Sequence, residues 1–356
     1  MIITTLRSVG LASTLASCAL LCASLAGCGG GVGALSDEPP AAMAAARATA
    51  VPQFDAAGPR PRVRPFVRNG VTALALSRDG QTIGMVTSDG AVRLVDAGGR
   101  GAVVDLGARR HEAVTGVLFS ADGNSLVSVG RSSEAEVWTV ATRERRLTLR
   151  GHAQGVRAVA GSSDGRLIAT AGEDTRVILW DAVSGQLVKV LRGHTDFVNA
   201  LAFSPDGRVL ASAGADRRVL IWNCASGDLQ RTLLGHANEV DALAFAPDGN
   251  GLASAGEDGR VLWWDVALGR QILALDAQGV AIHSLAFNAE GLLASGGADG
   301  RIQLWNMTTG RLDRTLTGAG AAVNALVFKR GSGDQLFVGS ADNRLAIWDV
   351  ARGVLR

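Results

Sequence analysis

The sequence predicts an all-β fold, a seven-bladed β-propeller with four antiparallel strands in each blade. The first observation behind this prediction is a repeat that closes with tryptophan at spacings of 42, 42, 42, 41 and 43 residues, at Trp138, Trp180, Trp222, Trp264, Trp305 and Trp348. An earlier unit ends in "VRLVDA", with Val95 in the tryptophan position, so the chain holds seven units. The second observation is that each unit consists of four short alternating runs, which is typical of propeller blades.

Every unit has the same order of strands and turns. A first run such as "VNALAFS" precedes a turn with an acidic residue before glycine, at Asp79, Asp122, Asp164, Asp206, Asp248 and Glu290. A second run such as "VLASAG" leads to another tight turn, at Asp89, Asp174, Asp216, Asp258, Asp299 and Asp342. A third run such as "RVLIWN" ends at the tryptophan, and a fourth such as "GQLVKVL" leads into the next unit. Asp-Gly between alternating apolar runs predicts hairpins, because glycine readily adopts the positive φ of the turn.

The last unit lacks room for a full fourth strand, because the chain ends seven residues after Asp349. A candidate lies before the first unit, in "RPRVRPFVRNG", where Val63, Pro65 and Val67 alternate. Proline is tolerated in an outermost strand, since one edge of that strand has no hydrogen-bonding neighbour. We therefore predict that residues 62–68, at the N-terminus, complete the last blade and close the ring.

The units resemble WD repeats. Gly-His near the start matches at Gly151-His152, Gly193-His194 and Gly235-His236, and Trp-Asp near the end matches at Trp180-Asp181, Trp264-Asp265 and Trp348-Asp349. The resemblance covers residues 61–356 and implies a seven-bladed WD40 propeller.

The resemblance also implies a hydrogen-bonded tetrad of His, Ser or Thr, Asp and Trp in each complete blade. Carried over by position, the tetrads of blades three, four and five are His152, Thr170, Asp174, Trp180; His194, Ser212, Asp216, Trp222; and His236, Ser254, Asp258, Trp264. Buried polar groups of this kind are tolerated when they satisfy one another. A catalytic Ser-His-Asp set uses the same residue types. The set recurs three times with a tryptophan where substrate would bind, so we predict a structural role and no catalytic residue.

The other blades depart from this pattern. Blade one has Met85 and Val95, blade two has Ser132 in the Asp position, blade six has Gln278 in the His position, and blade seven has Ala319 and Val338 in the His and Ser positions. Their tetrads are expected to be partial or absent.

Two features are candidates for partner binding. Two residues after the tight-turn aspartate, where WD repeats usually carry threonine, this chain has Arg176, Arg218, Arg260, Arg301 and Arg344. These arginines either pair with local acids or bind an anionic partner, since guanidinium suits carboxylate and phosphate. Phe197 is the second candidate, because Gly155, Glu239, Ala281 and Ala322 occupy its column elsewhere and an exposed aromatic suits a contact anchor.

The absence of several motifs and the low net charge argue against other functions. The chain has no H-E-x-x-H, C-x-x-C or phosphate-loop pattern, so no metal or cofactor is predicted. "GSSDG" at residues 161–165 fits G-x-S-x-G but occupies a hairpin-turn column. The formal charge is +2 with two lysines, which argues against nucleic acid as a partner.

The N-terminus predicts a lipid anchor. Residues 1–27 have a basic residue, an apolar stretch and small residues, the layout of a secretory signal. Leu25 to Cys28 resemble the bacterial lipobox, which implies cleavage before Cys28 and its acylation; a rival box ends at Cys18. Residues 28–60 are rich in glycine, alanine and proline and are predicted to be a flexible linker. Cys224 is then left without a disulfide partner.

Taken together, the sequence predicts a membrane-anchored, non-catalytic protein–protein interaction scaffold of the bacterial cell envelope, with a monomeric propeller at residues 61–356. Gly29 after the anchor favours the periplasmic side of the outer membrane if the cell has two membranes. The alternative is a small-ligand-binding or enzymatic propeller with its site on the top face or in the central channel. A convergent set of titratable residues outside the repeat columns would favour that alternative, and the sequence shows none.

Overall fold

Twenty-eight strands in seven four-stranded antiparallel sheets make up the fold in the computed structural model. The structure describes residues 70–98, 103–106, 114–277, 279–329, 335–342 and 344–355. Every element in these ranges is a strand, and none of the described residues forms a helix suited to crossing a membrane. The prediction of an all-β propeller with seven blades of four strands is confirmed.

The sheets follow one another along the chain, and each is one blade. Blade one is β1 (Val71–Leu76), β2 (Thr82–Thr87), β3 (Val92–Asp96) and β4 (Val104–Asp105). Blade two is β5 (Val114–Phe119), β6 (Ser125–Gly130), β7 (Glu134–Thr139) and β8 (Arg145–Arg150). Blade three is β9 (Val156–Gly161), β10 (Leu167–Gly172), β11 (Arg176–Asp181) and β12 (Leu187–Arg192). Blade four is β13 (Val198–Phe203), β14 (Val209–Gly214), β15 (Arg218–Asn223) and β16 (Leu229–Leu234).

The remaining three blades repeat this order. Blade five is β17 (Val240–Phe245), β18 (Gly251–Gly256), β19 (Arg260–Asp265) and β20 (Arg270–Asp276). Blade six is β21 (Ile282–Phe287), β22 (Leu292–Gly297), β23 (Ile302–Asn306) and β24 (Arg311–Leu316). Blade seven is β25 (Val323–Phe328), β26 (Gln335–Ser340), β27 (Leu345–Asp349) and β28 (Val354–Leu355).

The first strand of each blade lines the centre of the ring. Each first strand contacts the first strands of the two neighbouring blades, and β1 contacts β25, so the ring of described strands is closed. Asn324 Nδ2 of blade seven donates to the Val71 carbonyl oxygen of blade one at 2.9 Å across this junction. Apolar residues of both blades, among them Val71 and Phe337, form one shared core.

The last blade has a fourth strand of only two residues. Leu355 and Val354 pair with Trp348 and Asp349, whereas β16 in blade four has six residues. The chain's own C-terminus thus forms the short fourth strand of blade seven. Residues 62–68, predicted to complete this blade, lie outside the described residues, so that part of the prediction stays a prediction.

The hydrophobic core lies between blades. In one example, Val177 and Leu179 of blade three pack with Leu210, Leu220 and Trp222 of blade four. This arrangement follows from strands that are apolar on both faces, with β14 buried over five of its six residues. Glycine adopts positive φ at the predicted Asp-Gly turns, as at Gly207 (71°).

Two sets of loops mark the two ends of the ring. At the upper end, Ala215 N, in the turn after β14, donates to Phe197 O, just before β13, at 2.8 Å. At the lower end, Cys224 N, after β15, donates to Arg208 O, in the turn after β13, at 3.0 Å. The predicted tetrads and partner-binding candidates therefore belong to the upper end.

Candidate functional site

Blades three, four and five each contain a continuous hydrogen-bonded chain below the upper surface. In blade five, Trp264 Nε1 lies 2.7 Å from Ser254 Oγ, which lies 2.7 Å from His236 Nε2. His236 Nδ1 lies 2.8 Å from Asp258 Oδ2. Blade four repeats the chain through Trp222, Ser212, His194 and Asp216, and blade three through Trp180, Thr170, His152 and Asp174.

The chemistry of these groups decides which atom donates. The indole N–H can only donate, so the serine or threonine oxygen accepts it and turns its own hydrogen towards histidine Nε2. An ionised aspartate can only accept, so Nδ1 carries the imidazole hydrogen. Burial lowers the pKa of His152 and His236, more than the neighbouring aspartates raise it. These histidines are therefore neutral orienting groups.

The aspartate at the end of each chain also holds a loop. Burial raises the pKa of Asp174, but hydrogen bonds from the Ala153 N–H, His152 and Arg176 outweigh it, and the pKa is lowered overall. Ala153 N donates to Asp174 Oδ2 at 2.9 Å. The carboxylate thus ties the loop after β8 to the turn after β10.

The other blades satisfy their buried groups differently. Ser128 accepts the indole N–H of Trp138, and Ser295 that of Trp305, each at 2.9 Å. In blade seven the indole nitrogen of Trp348 is buried and finds no hydrogen-bond partner in the described part of the chain, since Val338 occupies the serine position.

In blades one and seven a hydroxyl group contacts the turn aspartate that histidine contacts elsewhere. Thr87 donates to Asp89, and Ser340 donates to Asp342. Both hydroxyls stand in a column that is glycine in blade four, at Gly214. This replacement of the histidine contact by a hydroxyl was not predicted, although the sequence shows a threonine or serine two residues before the turn aspartate.

The upper mouth of the channel carries a second set of polar residues. The second residue of every innermost strand is polar, and the first is apolar: Thr72, Thr115, Arg157, Asn199, Asp241, His283 and Asn324. Asn199 Nδ2 donates to Asp241 Oδ1 of the next blade at 3.0 Å. Asn199 Oδ1 is buried and has no hydrogen-bond partner among the described residues.

Blade five makes one side of the mouth acidic. Glu239 precedes β17, Asp241 is its second residue, and Glu257 begins the turn after β18. The Glu257 N–H donates to Glu239 O at 3.0 Å, which places these two residues side by side. Burial, followed by the Glu257 and Glu239 carboxylates, raises the pKa of Asp241. His283 Nε2 of blade six lies 3.9 Å from Glu257 Oε1.

This acidic group corrects an expectation from the sequence, which showed no convergent set of titratable residues. Glu239, Asp241, Glu257 and His283 converge at the mouth although the residues come from two blades. The signal was present in the column of seven polar residues at the second position of the innermost strands. The acidic group was not recognised from the repeat, because the residue type in this column differs from blade to blade.

Phe197 lies at the upper end of the ring, just before β13 of blade four, and its ring faces blade three. Its relative exposure is 39%, and the Arg157 guanidinium lies 5.4 Å from its ring centroid, within cation–π distance. Arg157 Nη1 also lies 4.0 Å from Glu173 Oε1. The Phe197 backbone is packed against β14, because a Cβ on Gly214 would lie 1.9 Å from Phe197 O. An exposed aromatic ring on a fixed backbone is a suitable contact anchor.

The arginine column is in large part paired with its own turns. Arg176 lies 2.6 Å from Asp174, Arg301 lies 3.4 Å from Asp299, and Arg344 lies 3.3 Å from Asp342. For Arg218 and Arg260 the backbone N–H donates to the turn aspartate, and no ion pair is seen within the described ranges. These distances support local pairing with the turn aspartates for Arg176, Arg301 and Arg344.

Two further predictions concern metal and lipid. The described part of the chain contains no group of three or more His, Cys, Asp or Glu residues arranged to hold a metal ion. Cys28, the predicted lipidation residue, lies outside the described residues. Cys224 is a free, buried cysteine.

Comparison with protein families places the repeats in a known family. The family described as WD domain, G-beta repeat matches five segments, residues 143–181, 185–223, 227–265, 269–306 and 310–349, which together are more than half of the 356 residues. Each segment runs from the outermost strand of one blade through the first three strands of the next. The comparison with curated proteins found no match to this chain.

Proposed function

The chain belongs to the WD domain, G-beta repeat family, and we propose that it is a non-catalytic protein-binding module whose partner docks at the upper mouth of the channel. Propellers of this family are typical interaction scaffolds. Fold alone does not identify a site, so the proposal rests on the residues at the mouth. The observation that carries it is the group of three blade-five carboxylates at this mouth, where burial and the two glutamates raise the pKa of Asp241. The exposed ring of Phe197 lies at the same upper end.

These residues fit a positively charged partner segment. Within the described ranges, His283 and the Asn199 amide lower the pKa of Asp241, but burial and the two glutamates outweigh them. A lysine or arginine side chain from a partner would relieve the repulsion among them. Phe197, whose ring faces the Arg157 guanidinium, would be a separate contact anchor at the same end.

The hypothesis of an anionic partner has less support. Three of the five column arginines already lie within ion-pair distance of turn aspartates. Arg218 and Arg260 are the remaining candidates for such contacts. The replacement of these two residues with glutamine tests the anionic alternative separately from the mouth.

Lipid anchoring through Cys28 remains part of the proposal. The support is the apolar N-terminal stretch and the resemblance to a lipobox. A flexible linker at residues 28–60 would hold the propeller near the membrane of the cell envelope. Radiolabelled palmitate should be incorporated by the wild-type protein in a bacterial host and lost in Cys28→Ser; label retained in Cys28→Ser and lost in Cys18→Ser would assign the anchor to the rival box.

The alternative function is a small-ligand or enzymatic site in the channel, and the converging Asp241, Glu257 and His283 support it. The distance of 3.9 Å between His283 and Glu257 exceeds that of a hydrogen bond. Asp241 is engaged by Asn199 instead of by a base. These contacts favour electrostatic binding over proton transfer, for which a hydrogen-bonded pair is expected.

Peptide binding tests the proposed site. The probes are two short labelled peptides that differ only in carrying lysine or glutamate at the same positions, and binding is measured by fluorescence anisotropy. The lysine peptide should bind more tightly, and Glu239→Gln/Glu257→Gln should weaken it about tenfold, as expected for the loss of about 1.4 kcal/mol. Glu144→Gln is the matched control, because Glu144 is exposed and lies at the lower end. Equal affinity for the two peptides would refute the proposed site.

A further inference from the structure

The exposed apolar residues of the described chain are concentrated on the outside of the ring. Ten large apolar residues are strongly exposed, and all except Phe197 lie on outermost strands or on the segments leading into them: Val103, Val183, Leu187, Val188, Leu229, Leu234, Leu268, Ile272 and Val354. Exposed apolar residues that cluster mark an interaction surface, whereas single ones do not.

Six of these residues lie at the lower end of three neighbouring blades, blades three to five, on the outer strands or in the turns before them. We call this group the rim patch: Val183, Leu187, Val188, Leu229, Leu268 and Ile272. Neighbouring blades bring its parts together. Arg231 of β16 donates to the carbonyl oxygen of Ala267, in the turn before β20, at 3.2 Å, so Leu268 lies next to the outer strand of blade four. A Cβ on Gly227, in the turn before β16, would lie 2.9 Å from the Lys189 side chain of β12. This turn of blade four therefore lies against the outer strand of blade three.

The outermost strands are also basic. The seven strands contain nine lysine or arginine residues and three aspartates, although the whole chain is almost neutral at +2. Near the patch residues, Lys189, Arg231 and Arg270 lie on the three outer strands, against Asp228 in the turn before β16. Arg192 and Asp276 lie at the upper ends of their strands. Two copies of the chain joined through their rims would bring like charges together, which disfavours self-association.

From this combination we propose that the rim patch binds an anionic lipid surface. The outside of a ring is convex, and its apolar residues are separate aliphatic side chains instead of a pocket. Protein hot spots are typically aromatic or arginine anchors in desolvated pockets, which favours lipid over an acidic protein. Aliphatic side chains can each enter the boundary between headgroups and acyl chains, while lysine and arginine contact anionic headgroups.

This contact would orient the domain. The rim patch lies at the lower end and the acidic mouth at the upper end, so the mouth would face away from the lipid surface. The inference does not require the lipid anchor or the proposed partner, because it depends on residues of blades three to five alone.

Proximity labelling tests the contact in the full chain. Ala225→Cys places an environment-sensitive fluorophore in the exposed turn before β16, and Thr195→Cys places the same fluorophore at the upper end as a control. All proteins carry Cys18→Ser, Cys22→Ser and Cys28→Ser, which removes acylation. Cys224 should not compete for the label, because burial raises the pKa of its thiol to about 12.

The vesicles are phosphatidylcholine with or without phosphatidylglycerol, doped with a quencher attached to the acyl chain. Phosphatidylglycerol vesicles should quench the label at position 225 at least about twofold more than the label at position 195. Leu229→Ser/Leu268→Ser should remove at least about half of that quenching. Leu234→Ser is the matched control, because Leu234 is 68% exposed on the same strand but at the upper end, and it should have no effect.

Several results would overturn the proposal. One is equal quenching of the two labels, or quenching that the double variant leaves unchanged. Another is a change at position 225 that depends on protein concentration without vesicles, which would indicate a second copy as the occupant. A polyglutamate peptide that reproduces the change without vesicles would assign the patch to an acidic protein partner.

Discussion

Removal of one buried hydroxyl should cost more stability in blade five than in blade six. Ser254 is fully buried and its oxygen lies 2.7 Å from both Trp264 Nε1 and His236 Nε2. Ser254→Ala therefore leaves an indole donor and an imidazole acceptor without partners. Each unsatisfied buried group costs about 1–3 kcal/mol, so the loss of both partners should lower the free energy of unfolding by about 2–6 kcal/mol.

Ser295 in blade six is the matched control. It is also buried, at 2% exposure, and accepts the indole N–H of Trp305 at 2.9 Å. No histidine contacts it among the described residues, so Ser295→Ala removes one strong bond. The expected loss is about 1–3 kcal/mol, and the difference between the variants is the value of the histidine contact.

Urea unfolding of both variants, followed by circular dichroism, measures this difference. The m-value should be unchanged, since the surface exposed on unfolding is almost the same. Equal losses in the two variants would refute the reasoning, because the Ser254–His236 contact would then contribute nothing. His236→Gln in the Ser254→Ala background provides a check through a double-mutant cycle, in which the two losses should not add.

Three further predictions follow from the same contacts. Burial lowers the pKa of His152 and His236 below the ordinary value of 6.5, so below about pH 6.5 the unfolded state binds more protons and stability falls. The urea midpoint should therefore be lower at about pH 5 than at about pH 7, and a flat profile, or an equal slope in His152→Gln/His236→Gln, would contradict this. Gly214→Ala places a Cβ 1.9 Å from Phe197 O and should cost about 2–4 kcal/mol in thermal or urea unfolding; an unchanged midpoint would be inconsistent with that contact. Iodoacetamide should modify Cys224 slowly in native protein and rapidly in urea, because burial raises the pKa of this thiol to about 12; rapid native labelling, read by mass spectrometry, would show that the site is open.

The repeat was sufficient to predict the fold because the same pattern of strands and turns occurs seven times. The alternating runs, the turn aspartates and the tryptophan positions each recur at a fixed spacing, so the strands and the number of blades could be counted. Glycines such as Gly207 and Gly249 adopt the positive φ that their turns require. In the same way, their positions in the repeat predicted that His194, Ser212 and Asp216 lie together, and hydrogen bonds join them in the structure.

The mouth could not be predicted by the same argument. Asn199 and Asp241 are 42 residues apart and meet only because their strands are neighbours in a closed ring. Residues in that column vary from threonine to aspartate, and a variable column is easily taken for solvated surface. Charge at the mouth is a sum over blades, whereas the repeat describes one blade at a time.

The short strand β28 shows a second limit. The distance from Asp349 to the chain end indicated that a full fourth strand would not fit, and the structure places two residues there. Whether a terminal segment pairs with a neighbouring strand depends on the edge that the strand offers, which the sequence of the segment does not specify. The pairing of Val354 with Asp349 was therefore not predicted.

The interior of a blade, the mouth of the channel and the rim differ in how far their own residues satisfy one another. Inside a blade, the polar groups of Trp264, Ser254 and His236 satisfy one another, so they are unavailable to a partner. At the mouth, Asp241 and Glu257 repel each other, and His283 offsets this repulsion only in part, so a cation that binds there would gain energy. On the rim, Leu229 and Leu268 are exposed to water, so a contact that removes them from water is favourable. The mouth and the rim are thus the parts of the described molecule at which binding would improve its own energetics, and their opposite positions allow both contacts at once.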